Sequence, residues 1–126
     1  MSDINKDLEP VLIQLFNALP FNPRWVGVIS VDGVYMGYYG LEPLSEDRVT
    51  GLMAAADALH GRLSAELNNG SFRYAIVGAE NGVFATLSLN DVAVIGMNFD
   101  QIPVFDKLFQ ELPQALSPVL QLLNLK

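Results

Sequence analysis

Between Asp47 and Leu67 the chain keeps a helical period without a break, and short β-rich runs stand on either side of it. Val49, Leu52, Met53, Ala56, Leu59, Leu63 and Leu67 recur at steps of three and four, which predicts one apolar stripe facing a core. The opposite side holds Gly51, Ala54, Ala55, Ala58, Gly61 and Ala65, where an ordinary exposed face would carry Lys and Glu. Each interior glycine lowers helix propensity by about 1 kcal/mol relative to alanine, so two on one side suggest a packing reason. These six small residues let a second backbone come close, most simply that of a symmetric copy, and form the expected dimer interface. The alternative is that alanine is simply a good helix former and the glycines are tolerated.

Around this helix the periodicity switches to strands. Arg24 to Val31 and Val34 to Tyr39 are β-rich runs joined by Asp32-Gly33, a dipeptide suited to a two-residue hairpin turn with positive φ. Phe72 to Ala79, Val83 to Leu89 and Val92 to Asn98 read as three more strands, separated by Glu80-Asn81-Gly82 and Asn90-Asp91. Ser45 or Asp47 caps the central helix and Asn68-Asn69-Gly70 closes it. An N-terminal helix follows from Ile4, Leu8, Val11, Leu12, Leu15, Phe16 and Leu19, with Asp7 as its cap and Pro10 in its first turn. After Pro103 helical spacing returns, but Pro113 and Pro118 predict a helix to about Leu112, a bend, and a second short helix capped by Ser117. The order α, β, β, α, β, β, β, α predicts an α+β sandwich with one antiparallel five-stranded sheet. The central helix covers one face, and the terminal helices, with a kink in the C-terminal one, cover the other.

Composition narrows the function classes. The 126 residues are 51% hydrophobic, which suits a single domain over residues 1–126 with a sizeable core. A net charge of -7, with 7 Lys and Arg scattered along the chain, supplies no basic stripe for nucleic acid or anionic membranes. The absence of cysteine excludes disulfides, thiolate metal sites and cysteine nucleophiles. The acidic start MSDINKDLEP differs from a secretory signal, and no apolar run reaches the roughly 18 residues of a membrane span, so a cytoplasmic protein is expected. His60, the only histidine, falls near the apolar stripe of the central helix, where it reads as a boundary residue rather than a catalyst. Carboxylates are dispersed or sit in turns and at a helix start, so neither a metal site nor a catalytic pair is expected. Gly27, Gly33, Gly37 and Gly40 lie along a hairpin rather than a strand-to-helix turn, which excludes both a P-loop and a dinucleotide fingerprint. Tyr35, Met36, Tyr38 and Tyr39 lie on a strand expected at a sheet edge, where they form an aromatic contact surface or pack beneath the terminal helices.

The hairpin VGVISVDGVYMGYYG, the helix DRVTGLMAAADALHGRLSAEL and the strand pair RYAIVGAENGVFATLSL, in that order, resemble the Roadblock/LC7 family. The resemblance covers about residues 5 to 110, so the domain core is expected over about 5–112 with a C-terminal helical extension over 113–126. It implies a profilin-like fold and a non-enzymatic homodimer or heterodimer without cofactor. Such dimers serve as platforms for small Ras-like GTPases or as light chains of larger assemblies such as dynein. In the family the central helices lie side by side and the third strands pair across the dimer, which implies that Phe72, Arg73 and Tyr74 join the small-residue row in the interface. An edge strand over 72–79 without proline, guarded only by Arg73, would need such a cover. Arg48 and Arg62 flank the small-residue face and are the expected contacts to an acidic partner. The departures from the family are the extension after Leu112 and the cluster Trp25, Tyr35, Tyr38 and Tyr39. The alternative reading is a sensory domain that binds a small ligand between sheet and helices.

Overall fold

The computed structural model describes residues 2–19, 23–100 and 105–123. Its elements run α1 (Ser2–Ala18), β1 (Pro23–Ser30), β2 (Tyr35–Gly40), α2 (Glu46–Glu66), β3 (Tyr74–Ala79), β4 (Gly82–Leu89), β5 (Ala93–Phe99) and α3 (Phe105–Leu122). The five strands form one antiparallel sheet in the order β2-β1-β5-β4-β3, as the alternating runs predict. Strands β1 and β5 lie inside it with almost every residue buried, while β2 and β3 are its edges.

Each face of the sheet holds its own core. On one face α1 and α3 pack Leu8, Leu12, Leu15, Leu108, Leu112, Leu116 and Val119 onto Val26, Val28, Ile95 and Met97. On the other, Val49 and Met53 of α2 pack onto Trp25, Ile29 and Val94. The sheet beneath α2 is floored by glycine: a Cβ on Gly27 would stand 3.0 Å from Val49 Cγ1, and one on Gly96 3.1 Å from Met53 Cε. The helix therefore sits close enough for two side chains to fill the space beneath it.

Three local expectations are corrected. The Asp32-Gly33 turn is not a two-residue loop: Ser30 N–H donates to Val34 O and Gly33 N–H to Ser30 O, which encloses Val31, Asp32 and Gly33. Only Gly33 takes positive φ (83°), the pattern of a turn completed by one left-handed residue. The β4–β5 connection likewise encloses three residues, Asn90, Asp91 and Val92, between the paired Leu89 and Ala93, with positive φ at Asn90 and Asp91 (51° and 60°). Second, α1 begins at Ser2, so Asp7 is not its cap and Pro10 lies inside it rather than in the first turn. Third, α3 is one unbroken helix containing both Pro113 and Pro118, and no second helix starts at Ser117. Pro10 and Pro113 are exposed and Pro118 is half-buried, whereas the buried leucines line the opposite sides of both helices. Packing of that apolar side offsets the lost helix hydrogen bonds. Among the described residues no helix is long and apolar enough to cross a membrane.

Candidate protein interface

The main correction concerns α2. Its N-terminus is as expected, with Ser45 Oγ accepting from Arg48 N–H at 3.1 Å, and its end turns at Asn68 with φ of 57°. Yet of the apolar stripe only Val49 and Met53 are buried; Leu52, Leu59, Leu63 and Leu67 are 47, 56, 50 and 65% exposed. The helix is rolled so that the line through Val49, Met53 and His60 faces the sheet. His60 stacks on Phe72 with ring centroids 5.3 Å apart, and its Nδ1 lies 3.5 Å from the hydroxyl of the fully buried Thr86. The histidine thus ties α2 to β4 and to the entry of β3, the boundary role its phase predicts.

With about 100° of rotation per residue, the leucine row and the small-residue row lie roughly 130° apart around α2. The leucine row leans toward β4 and β3: Leu52 and Ala56 line a groove of about 340 Å³ with Trp25, Glu42, Leu44, Arg48, Phe84 and Asn98. The small-residue row turns elsewhere. Ala54 is half-buried against the cluster that includes Tyr35 and Tyr38, while Gly51, Ala55, Ala58 and Ala65 are exposed and Gly61 is half-buried. A Cβ added to Gly51 or Gly61 would meet nothing within 4 Å.

Strand β3 completes the surface. Ser88 N–H donates to Arg73 O at 2.8 Å, so main-chain groups of residues 73, 75, 77 and 79 bond to β4 and those of Tyr74, Ile76 and Gly78 face outward. Tyr74 and Val77, on opposite faces of this edge, are 59 and 50% exposed. Phe72 is half-buried under His60, and Arg73 is exposed. Of Phe72, Arg73 and Tyr74, all three expected at the interface, Phe72 stacks on His60 of α2, whereas Tyr74 lies edge-on to Phe109 on the α3 face at 5.8 Å. Arg48 stands on the leucine side at the groove. Arg62 lies 3.9 Å from Glu66 one turn on, an exposed pair of little energetic weight. The leucine signal was visible in the sequence, but its assignment to the protein's own core was not correct.

Among the described residues no group of three or more His, Cys, Asp or Glu is placed to hold a metal ion. At the other sheet edge, the Tyr38 hydroxyl donates to Glu42 O, and Arg24 Nε lies 2.6 Å from Glu42 Oε1. Burial, then the carboxylates of Glu46 and Glu9, raise the Tyr35 phenol above its ordinary value of 10.0.

A five-stranded antiparallel sheet in this order, with α2 on one face and α1 and α3 on the other, is the Roadblock/LC7 fold. Among solved structures it is similar to MglB from Myxococcus xanthus at 13% identity, covering 98% of this chain and 97% of that one, with a TM-score of 0.73. It is likewise similar to the gliding protein MglB from Thermus thermophilus (15% identity, 94% and 89% covered, TM-score 0.74). A Roadblock/LC7 domain from Streptomyces avermitilis superposes at 14% identity over 90% of this chain and 97% of its own, with a TM-score of 0.71. No protein-family model and no curated protein matches the chain.

Proposed function

We propose that this protein is a non-catalytic, dimeric interaction module that docks a small Ras-like GTPase, with paired α2 helices and a continuous sheet as the platform. The observation that carries the reading is the coincidence of two unsatisfied surfaces. The exposed leucines of α2 and the outward main chain of β3 lie on the same side of the molecule. Burial of apolar side chains contributes about 25 cal/mol per Å², and a bare strand edge is normally covered or charged, so one partner copy satisfies both. The GTPase assignment rests on the likeness to Roadblock/LC7 proteins, among them one solved as "MglB with tetrameric arrangement". The mechanism is contact geometry: a dimer surface that orders the GTPase's own switch segments affects hydrolysis without covalent chemistry.

Light scattering on the wild-type chain and two variants tests the platform. Leu59→Glu converts the dimer to monomer when the leucine row is the interface; Ala58→Glu does so when the small-residue row is. A wild-type monomer at micromolar concentration overturns the dimer. Affinity capture from a lysate of the source organism, with GDP or a GTP analogue present, tests the docking. Recovery of no small GTPase in either state overturns that part.

A further inference from the structure

The proposed dimer uses one edge of the sheet, and β2 is the other. Leu41 N–H donates to Arg24 O at 2.7 Å, and the β1–β2 register runs from Trp25↔Gly40 to Val28↔Gly37. Strand alternation then directs the main-chain groups of Gly37 and Tyr39 to β1 and turns those of Tyr38 and Gly40 outward. Among the described residues no main-chain hydrogen bond reaches them from the open side. Natural edges are blunted by lysine, proline or bulges, yet residues 33–41 contain no proline and no charged residue. The bulge between Val28 and Ile29 lies toward the Tyr35 end and leaves the stretch from Gly37 to Gly40 regular.

This edge is flanked by two helices. On one face α1 leans over it, with Phe16 edge-on to Tyr39 at 5.1 Å. On the other lie the start of α2 and the Trp25–Tyr38 pair. Glu9 is exposed on α1 next to Leu8, which lies over Gly37, and Glu46 is exposed one turn before Val49 of α2, in the cluster against which Tyr35 packs; both carboxylates act on the Tyr35 phenol. Arg24, at the far end of the strand, is held by Glu42.

We propose that the β2 edge accepts an extended, basic segment of a partner protein as an added sixth strand, recognised through two adjacent Lys or Arg residues. Main-chain hydrogen bonds from Tyr38 and Gly40 supply the pairing. Neighbouring side chains of a strand point to opposite faces, so one basic residue of the pair reaches Glu9 and the next reaches Glu46. Tyr35 offers a ring to the same cations. The inference goes beyond the dimer and the GTPase and stands without either, since β2 and β3 are opposite edges.

The test uses the full chain, isotope-labelled, and an end-blocked peptide of alternating valine and threonine with a central Arg-Lys pair. Titration followed by amide NMR is expected to shift and protect the Tyr38 and Gly40 amides against hydrogen exchange. The same peptide N-methylated at alternate residues loses binding, because it can no longer donate to the edge. Glu9→Gln and Glu46→Gln, both surface changes that leave the fold intact, each weaken binding about two- to fivefold. Three results overturn the proposal: no binding at about 1 mM peptide, shifts confined to Tyr74, Ile76 and Gly78, or affinity indifferent to N-methylation. Equal affinity for a peptide whose two basic residues are set two apart overturns the paired recognition.

Discussion

Gly51 occupies an interior helical position where a side chain would meet nothing within 4 Å in the protomer. Its cost to the helix therefore has no return inside the fold. Gly51→Ala is expected to raise protomer stability by about 0.5–1 kcal/mol, read from the urea midpoint. If light scattering of the same variant shows a weakened dimer, the small-residue row is in contact with a partner after all. An unchanged dimer places the contact on the leucines. Tyr35 gives a second residue-scale test, through pH. Its phenol is raised in the fold, by burial first and by Glu46 and Glu9 next, so above about pH 10 the unfolded chain loses this proton before the folded one does. The folded state then binds more protons than the unfolded state, and stability falls as pH rises through that window. Tyr35→Phe is expected to flatten the decline of the melting temperature between about pH 10 and 12 while leaving values near neutrality little changed; an unaltered alkaline slope would refute it.

At the scale of elements, the two hairpin turns make opposite demands. The β1–β2 loop places its single positive φ on Gly33, whereas the β4–β5 turn places two on Asn90 and Asp91, residues that each carry a Cβ. Asp91→Gly should relieve that conformation and stabilise the protein by about 0.5–1 kcal/mol, measured by thermal or urea unfolding; a loss of stability would show that the carboxylate has a role the turn geometry does not reveal. The strands themselves were legible in the sequence because each short run is bounded by turn residues, and their order was sufficient to predict the sandwich. The roll of α2 was not legible. Its leucine row and the Val49–Met53 row are adjacent and equally apolar, and a periodic pattern does not say whether a row is buried by its own sheet or by another chain. What decides is the floor of Gly27 and Gly96, which draws Val49 and Met53 down and turns Leu52, Leu59 and Leu63 aside. The prolines of α1 and α3 look like helix boundaries in the sequence for a related reason. Whether a helix tolerates a proline depends on how strongly its opposite side is packed, and that is set by residues distant in sequence.

On the scale of the whole molecule, symmetric pairing of β3 with its copy admits few registers, because only Tyr74, Ile76 and Gly78 present outward main-chain groups. A two-fold axis through Ile76 sets Tyr74 opposite the partner's Gly78 on the α3 face and Val77 opposite the partner's Ala75 on the α2 face. Each large, exposed residue then meets a small one, and Tyr74 covers a glycine whose side-chain position is empty. An axis through residue 75 or 77 instead sets alanine on alanine or valine on valine and leaves Tyr74 without that complement. With no native cysteine, the chain allows the registers to be told apart by disulfide formation. In the Ile76-centred register, residues 75 and 77 of opposite chains form a non-hydrogen-bonded pair with Cα atoms about 4.5 Å apart, within disulfide reach. The double variant Ala75→Cys with Val77→Cys is expected to cross-link between protomers under mild oxidation, while neither single variant does. Efficient cross-linking of Ala75→Cys alone, or of Val77→Cys alone, would move the axis to that residue. Failure of all three, in protein that light scattering shows to be dimeric, would mean that β3 is not the strand that joins the copies.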